Sequence, residues 1–156
     1  MSDGLKVGDA APEFDLPTDG GGSVSLSALK GQSVVLYFYP KDDTPGCTNE
    51  AKGFTEAAAA FKATGAVVVG VSKDSVARHT KFKAKYDLDL TLGADVEGKV
   101  IEAYGVWVQK SLYGRNYMGI ERATFLIGPD GRIKQVWRKV KVPGHVASVL
   151  KAAKEG

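Results

Sequence analysis

The chain has 156 residues, 44% apolar and 25% charged, with a formal net charge of +3 and a single cysteine. This composition fits one soluble globular domain over residues 1–156, long enough to bury a core. The charge is too small and too dispersed for nucleic-acid binding, no apolar run is long enough for a bilayer, and one cysteine cannot close an internal disulfide. The opening residues MSDGLKVGDAAPEF lack an apolar signal core, so a cytoplasmic location is expected.

In chain order, Glu13 to Thr18 and Ser23 to Leu26 alternate around Asp19-Gly20-Gly21-Gly22, which predicts an N-terminal β-hairpin. Ser33 to Tyr39 (SVVLYFY) is a β-branched and aromatic run, the pattern of a strand buried on both faces. Cys47 to about Thr64 reads as one helix, closed by Gly65. Ala66 to Val71 (AVVVGV) predicts a second buried strand. Ser75 to Tyr86 predicts a charged amphipathic helix with Val76, His79, Phe82 and Tyr86 on one side, and Val96 to Tyr104 a shorter helix. Ala123 to Ile127 and Arg132 to Trp137 predict a hairpin turning at Gly128-Pro129-Asp130-Gly131, where Gly131 can take a positive φ. Arg138-Lys139-Val140-Lys141 reads as a solvated strand face. Gly144 to Lys154 is the last helix. Strand–helix–strand units followed by a hairpin predict an α/β fold of thioredoxin-like layout. Its mixed central sheet is flanked by helices on both faces, with the N-terminal hairpin as an extension.

The cysteine stands in YFYPKDDTPGCTNEAK, Tyr37 to Lys52. With Thr44 as N-cap, Pro45 takes the first helical position, where its missing N–H costs nothing. Cys47 then falls in the first turn, where free backbone N–H groups and the helix dipole favour thiolate over thiol. A lone cysteine is more often a small buried hydrophobe, but a turn on one side and a helix start on the other argue against a mid-core position.

These residues resemble the active-site pattern of the peroxiredoxin family: proline, three residues, threonine, two residues, cysteine, here Pro40-Lys-Asp-Asp-Thr44-Pro-Gly-Cys47, extended by Cys47-Thr-Asn-Glu50. The segments GVSKDSV, YGVW, MGIERATF and VWRKVKVPGH are similar to the Q-type, or bacterioferritin comigratory protein, subfamily. The resemblance runs from Ala11 to the last helix.

The resemblance implies a thiol-dependent peroxidase that reduces hydrogen peroxide and organic hydroperoxides, with an antioxidant role in cell redox homeostasis. Cys47 would attack a peroxide oxygen and become a sulfenic acid. Arg122 would donate to thiolate and peroxide, with Arg115 as its rival on residue type. Thr44 would bond the peroxide while capping the helix, Pro40 would wall the sulfur from water, and Glu50 would hold Arg122 from behind. No cofactor or metal is implied. The position five residues after Cys47, where many Q-type members carry a second cysteine, is Lys52, and the segment Phe82 to Ala84 carries none either. The sulfenic acid would therefore need an external thiol such as thioredoxin, glutaredoxin or a small thiol. A monomer is expected, with dimers known in the subfamily; nucleic acid and membrane are not expected partners.

Other chemistries fit less well. A disulfide reductase would want Cys-x-x-Cys where the chain has Cys47-Thr-Asn-Glu50, and His79, His145 and Cys47 match no zinc spacing. Nothing places either histidine beside Cys47 for a hydrolase, so both are expected to be structural or exposed. A non-catalytic binding or redox-sensing module on the same fold is the alternative of a different class.

Overall fold

The computed structural model describes residues 5–155. Strands β1 (Asp15–Pro17) and β2 (Ser23–Ser25) form the expected N-terminal hairpin. The apolar run folds as β3 (Ser33–Phe38), followed by α1 (Pro45–Glu56), α2 (Ala58–Ala63) and β4 (Ala66–Ser72). Then come α3 (Val76–Tyr86), β5 (Thr91–Ala94) and α4 (Lys99–Ala103). A second hairpin, β6 (Trp107–Leu112) and β7 (Arg115–Ile120), precedes β8 (Ala123–Ile127), β9 (Ile133–Trp137) and α5 (His145–Glu155).

The central sheet has the order β5-β4-β3-β8-β9. β3 pairs in parallel with β4, and β4 with β5, while β8 runs antiparallel to β3 and β9 to β8. The period of two along β3 divides the core into two layers. Val34, Leu36 and Phe38 face a cluster with Phe14, Leu16, Ile101, Tyr104 and Phe125, covered by α4 and the N-terminal hairpin. Val35, Tyr37 and Tyr39 face Cys47, Phe54, Phe61, Phe82 and Val149, covered by α1, α2, α3 and α5. The mixed, helix-flanked thioredoxin-like sheet expected from the sequence is the architecture found.

Four local expectations change. The helix expected from Cys47 to Thr64 breaks at Ala57, where ψ rises to 5° and the chain restarts as α2; an alanine run carries no sequence mark of such a break. Gly65 closes α2 at φ 82°, as expected. The segment expected as helix from Val96 is helical only over α4. The pair β6–β7 was not expected, because its two turn residues are Tyr113 and Gly114, at φ 53° and 77°, and tyrosine is not a turn signal. Arg138 to Lys141 is not a strand face: β9 ends at Trp137, Lys139 has φ 49°, and Arg138 is tied to Glu121 at 2.7 Å.

Tyr37 and Gly70 are paired across β3 and β4, and the phenol lies over the glycine. A Cβ on Gly70 would stand 2.7 Å from Tyr37 Cζ, with the strand backbone on the other side. Gly70→Ala is therefore expected to destabilise the fold by about 1–3 kcal/mol through overpacking. Denaturant midpoints would measure it; an unchanged midpoint would mean that the ring can move aside.

Candidate active site

The register of β8 on β3 builds the site. Ala123 pairs with Phe38, so the residue before β8, Arg122, lies at the end of the sheet where β3 runs into the loop that begins α1. Two further ties hold that position: Val140 N–H donates to the Arg122 carbonyl at 3.0 Å, and Arg138 grips Glu121 next door. Gly46 leaves room for the guanidinium, since a Cβ there would stand 3.0 Å from Arg122 Nη2.

Pro45 is the first residue of α1, as the spacing predicts, and Cys47 lies in the first turn. The first helical bond runs from Thr48 N–H to Thr44 C=O at 2.8 Å, so the N–H groups of Gly46 and Cys47 precede the ladder and point out of the helix start. Arg122 Nη2 donates to Cys47 Sγ at 3.4 Å, and Nη1 donates to Glu50 Oε1 at 2.7 Å. Cys47 and Glu50 are three apart on one helix, hence on one face. One cation thus bridges two acids of the same helix. Of the two candidate arginines, it is Arg122 that meets the sulfur; Arg115 lies exposed on β7 beside the hairpin turn.

Two expectations are corrected here. Cys47 is only 1% exposed and belongs to the apolar cluster under α1, so the helix start does not keep it out of the core. The Arg122 side chain, which touches the sulfur, remains 17% exposed. The Thr44 hydroxyl does not cap α1. It donates to the Lys41 carbonyl at 2.8 Å, because the loop turns back tightly through Asp43 at φ 61°. Its oxygen still has lone pairs to accept from a bound O–H. Pro40 stands partly buried at the start of the same loop.

Glu50 is fully buried, not a surface charge. Burial pushes its carboxyl up from 4.5 to about 7, although the Arg122 charge and hydrogen bond pull the other way. Arg122 itself is pulled down by desolvation, but the charges of Glu50 and Cys47 outweigh this and raise it. The folded protein therefore holds a proton on Glu50 that the unfolded chain has released. The stability this contributes is complete below 4.5 and is lost as pH rises to and through about 7. His145 has the opposite sign. Burial and the Arg122 charge lower it from 6.5 to about 4, so its contribution is present above 6.5 and lost as pH falls through 4. The two oppose each other in wild type. Between 4.5 and 7 the wild-type protein is expected to lose about 3 kcal/mol relative to Glu50→Gln, from the Glu50 shift alone. Denaturant unfolding of both proteins across that window measures it, and parallel stability curves would refute the assignment.

Both histidines are buried, as structural residues. His145 Nε2 lies 2.8 Å from the Thr124 hydroxyl. His79 joins the active-site loop to α3: Nδ1 is 2.7 Å from Asp42 Oδ2, and Nε2 is 3.1 Å from the Gly93 carbonyl. Tyr39 donates to the other Asp42 oxygen at 2.5 Å. Asp43 is held by Lys85 and the Tyr86 hydroxyl, and Lys52 packs over the Tyr86 ring at 5.0 Å. Sequence reasoning missed this clasp, because Asp42 and His79 lie 37 residues apart. It also missed Lys110 on β6, which burial lowers and which senses the charges of Arg122 and Cys47.

Among the described residues no group of three or more His, Cys, Asp or Glu side chains is placed to hold a metal ion, and no helix is long and apolar enough to cross a membrane.

The comparisons with known proteins agree with one another. A family model described as the AhpC/TSA family matches residues 7–136. The chain is 49% identical over 151 residues to peroxiredoxin Bcp of Bacillus subtilis, covering 97% of this chain and 96% of that one. The structure of the bacterioferritin comigratory protein of Xanthomonas campestris, studied for its alkyl peroxide reduction activity, superposes with a TM-score of 0.90 at 42% identity, covering 98% of each chain. Peroxidoxin BcpB of Mycobacterium tuberculosis superposes with a TM-score of 0.85 at 34% identity, covering 97% of each.

Proposed function

Since the chain belongs to the AhpC/TSA family and is a peroxiredoxin of the Bcp type, we propose that Cys47 is its peroxidatic residue and that Arg122, Thr44 and Pro40 complete the site, with Glu50 behind Arg122. The observation that carries this reading is the guanidinium bridging Sγ and Glu50 at a helix start. The Cys47 thiolate attacks one peroxide oxygen, the O–O bond breaks, and sulfur is oxidised to the sulfenic acid while the other oxygen leaves as alkoxide and takes up a proton. Arg122 turns its donors to the sulfur and to the oxygens on which charge develops, in a site that needs little reorganisation. The Thr44 oxygen accepts from the peroxide O–H. Pro40 limits water at the sulfur and with it further oxidation.

With one cysteine in the chain, the enzyme works by a one-cysteine mechanism and an outside thiol reduces the sulfenic acid. Alkyl hydroperoxides as well as hydrogen peroxide are the proposed substrates. The proposed reductant is thioredoxin, glutaredoxin or a small thiol, and the proposed state is a cytoplasmic monomer.

The test mixes reduced protein with peroxide in stopped flow, reading tryptophan fluorescence, and identifies the product by intact mass beside Cys47→Ser. Fast stoichiometric sulfenic acid, absent in the variant, is expected, with sulfinic and sulfonic products at large excess. A reaction no faster than that of a free thiol would overturn the reading and favour a sensing or binding module.

A further inference from the structure

Among the described residues, two buried side-chain polar atoms have no hydrogen-bond partner: Glu50 Oε2 and the Tyr37 hydroxyl. Both belong to the surroundings of Cys47. Tyr37 is fully buried on β3, faces the layer that contains Cys47, and is raised by burial first and then by the charges of Glu50 and Cys47. An ionised carboxylate satisfies both oxygens when it is buried. Glu50 satisfies only Oε1, through Arg122. A buried Oε2 without a partner, in a layer that also holds an un-ionised phenol, disfavours the charged carboxylate far more than the neutral carboxyl.

The charge count leads to the same place. One guanidinium contacts two acids, the Cys47 sulfur and the Glu50 carboxyl. If both acids ionise, the nearly buried cluster carries a net negative charge. If they hold a single proton between them, it is neutral. Other charged groups also act near the cluster: Lys110 from β6, with Glu121 acting on it, and His145 from α5 sense Arg122 or Cys47, and Asp42 from the loop before α1 acts on Tyr37; none of them is hydrogen-bonded to Glu50.

We propose that Cys47 and Glu50 share one proton, which Glu50 holds while the sulfur is a thiolate and gives up to the departing alkoxide when the sulfenic acid forms. The proposal rests on the peroxidase reading above. The reduced site contains Glu50–COOH, Arg122⁺ and Cys47–S⁻. Attack on ROOH forms the S–O bond and breaks the O–O bond. The products are Cys47–SOH, ROH and Glu50–COO⁻, with the carboxyl proton on ROH whether it passes directly or through water. Negative charge moves from sulfur to Glu50, and Arg122 is paired with one anion before and after. Tyr37 is a positioning residue, a neutral wall that keeps Oε2 out of water. In the reduced site Glu50, at about 7, holds the proton over the acid side of neutrality. Once the thiolate is gone the Arg122 charge acts on Glu50 alone, which lowers the carboxyl and keeps it from taking a proton back from solvent.

The experiment is infrared difference spectroscopy of the full chain, reduced minus peroxide-treated, below the Glu50 midpoint in a weak buffer with a pH indicator. Intact mass confirms sulfenic acid in the same sample. The expected result is loss of a carboxylic-acid C=O band on oxidation, shifted by heavy-carbon glutamate and absent in Glu50→Gln. The wild type takes up no net proton, while Glu50→Gln takes up a proton from solvent for each cysteine oxidised. Tyr37→Phe keeps the band. Isotope labelling of the wild type carries the test even if a variant folds poorly. Sulfenic acid forming with no change in a carboxylic-acid band would overturn the proposal and leave the peroxidase standing; absence of sulfenic acid would instead overturn the peroxidase reading.

Discussion

Arg122→Met is expected to slow sulfenic acid formation by about 10²–10³-fold, the scale seen when one preorganised charge-stabilising donor is removed. Methionine keeps much of the apolar stem, so the loss isolates the guanidinium. The same change breaks the pair with a fully buried carboxyl, of which Arg122 is the hydrogen-bonded partner at 2.7 Å. Breaking such a pair ordinarily costs about 3–5 kcal/mol. Glu50 has an escape, since burial already holds it near 7 and it goes neutral without the arginine. The stability penalty is therefore expected to be small on the acid side and to grow as pH rises. Arg122→Lys keeps a charge but not the fork that reaches Sγ and Oε1 together, so it should restore stability more than rate. Stopped-flow peroxide kinetics and denaturant unfolding at two pH values decide it. A methionine variant that reacts like the wild type would remove Arg122 from the chemistry.

His79→Ala is expected to cost about 3–5 kcal/mol, because it strips the buried Asp42 carboxylate of its ring partner and leaves only the Tyr39 hydroxyl and a cavity. Asp42 belongs to the loop that carries Thr44 into α1, and its N–H is held by Asp74 at 2.8 Å, itself bonded to Ser72. Loss of the clasp should therefore loosen that loop from α3 and expose Cys47 to bulky thiol reagents that its 1% exposure otherwise excludes. Unfolding midpoints and the rate of labelling by an aromatic disulfide reagent are the measurements. A variant as stable as wild type, with unchanged labelling, would show that the clasp is decorative.

Much of this protein is local and was readable in the chain. The run SVVLYFY is apolar at every position and became the central strand. Thr-Pro-Gly-Cys sets a helix start whose first turn must contain the thiol, whatever the rest of the molecule does, because Pro45 can lead a helix but not sit inside one. The three-residue step from Cys47 to Glu50 puts both on one face. Counting cysteines alone excludes an internal disulfide. The family pattern pointed to Arg122 over Arg115, but residue type and periodicity did not separate them.

Tertiary structure decided the rest, for reasons that no window of sequence contains. The pairing of Ala123 with Phe38 brings Arg122 to a sulfur 75 residues away. Burial, a property of the packed whole, turned Glu50 from a charge on a helix into a carboxyl held near 7. It also enclosed Cys47, which the sequence placed at an open helix end. The Thr44 hydroxyl went to Lys41 because the loop closes on itself through Asp43, a backbone choice that residue preference does not dictate. Asp42 and His79 meet only after α3 docks on the sheet. The sequence by itself determined where in its helix the single cysteine sits, since that follows from backbone rules acting over a few positions, and by its cysteine count it left Cys47 as the one thiol to propose for oxidation. The fold determined what surrounds that residue, because contacts and desolvation between distant segments exist only once the layers have packed.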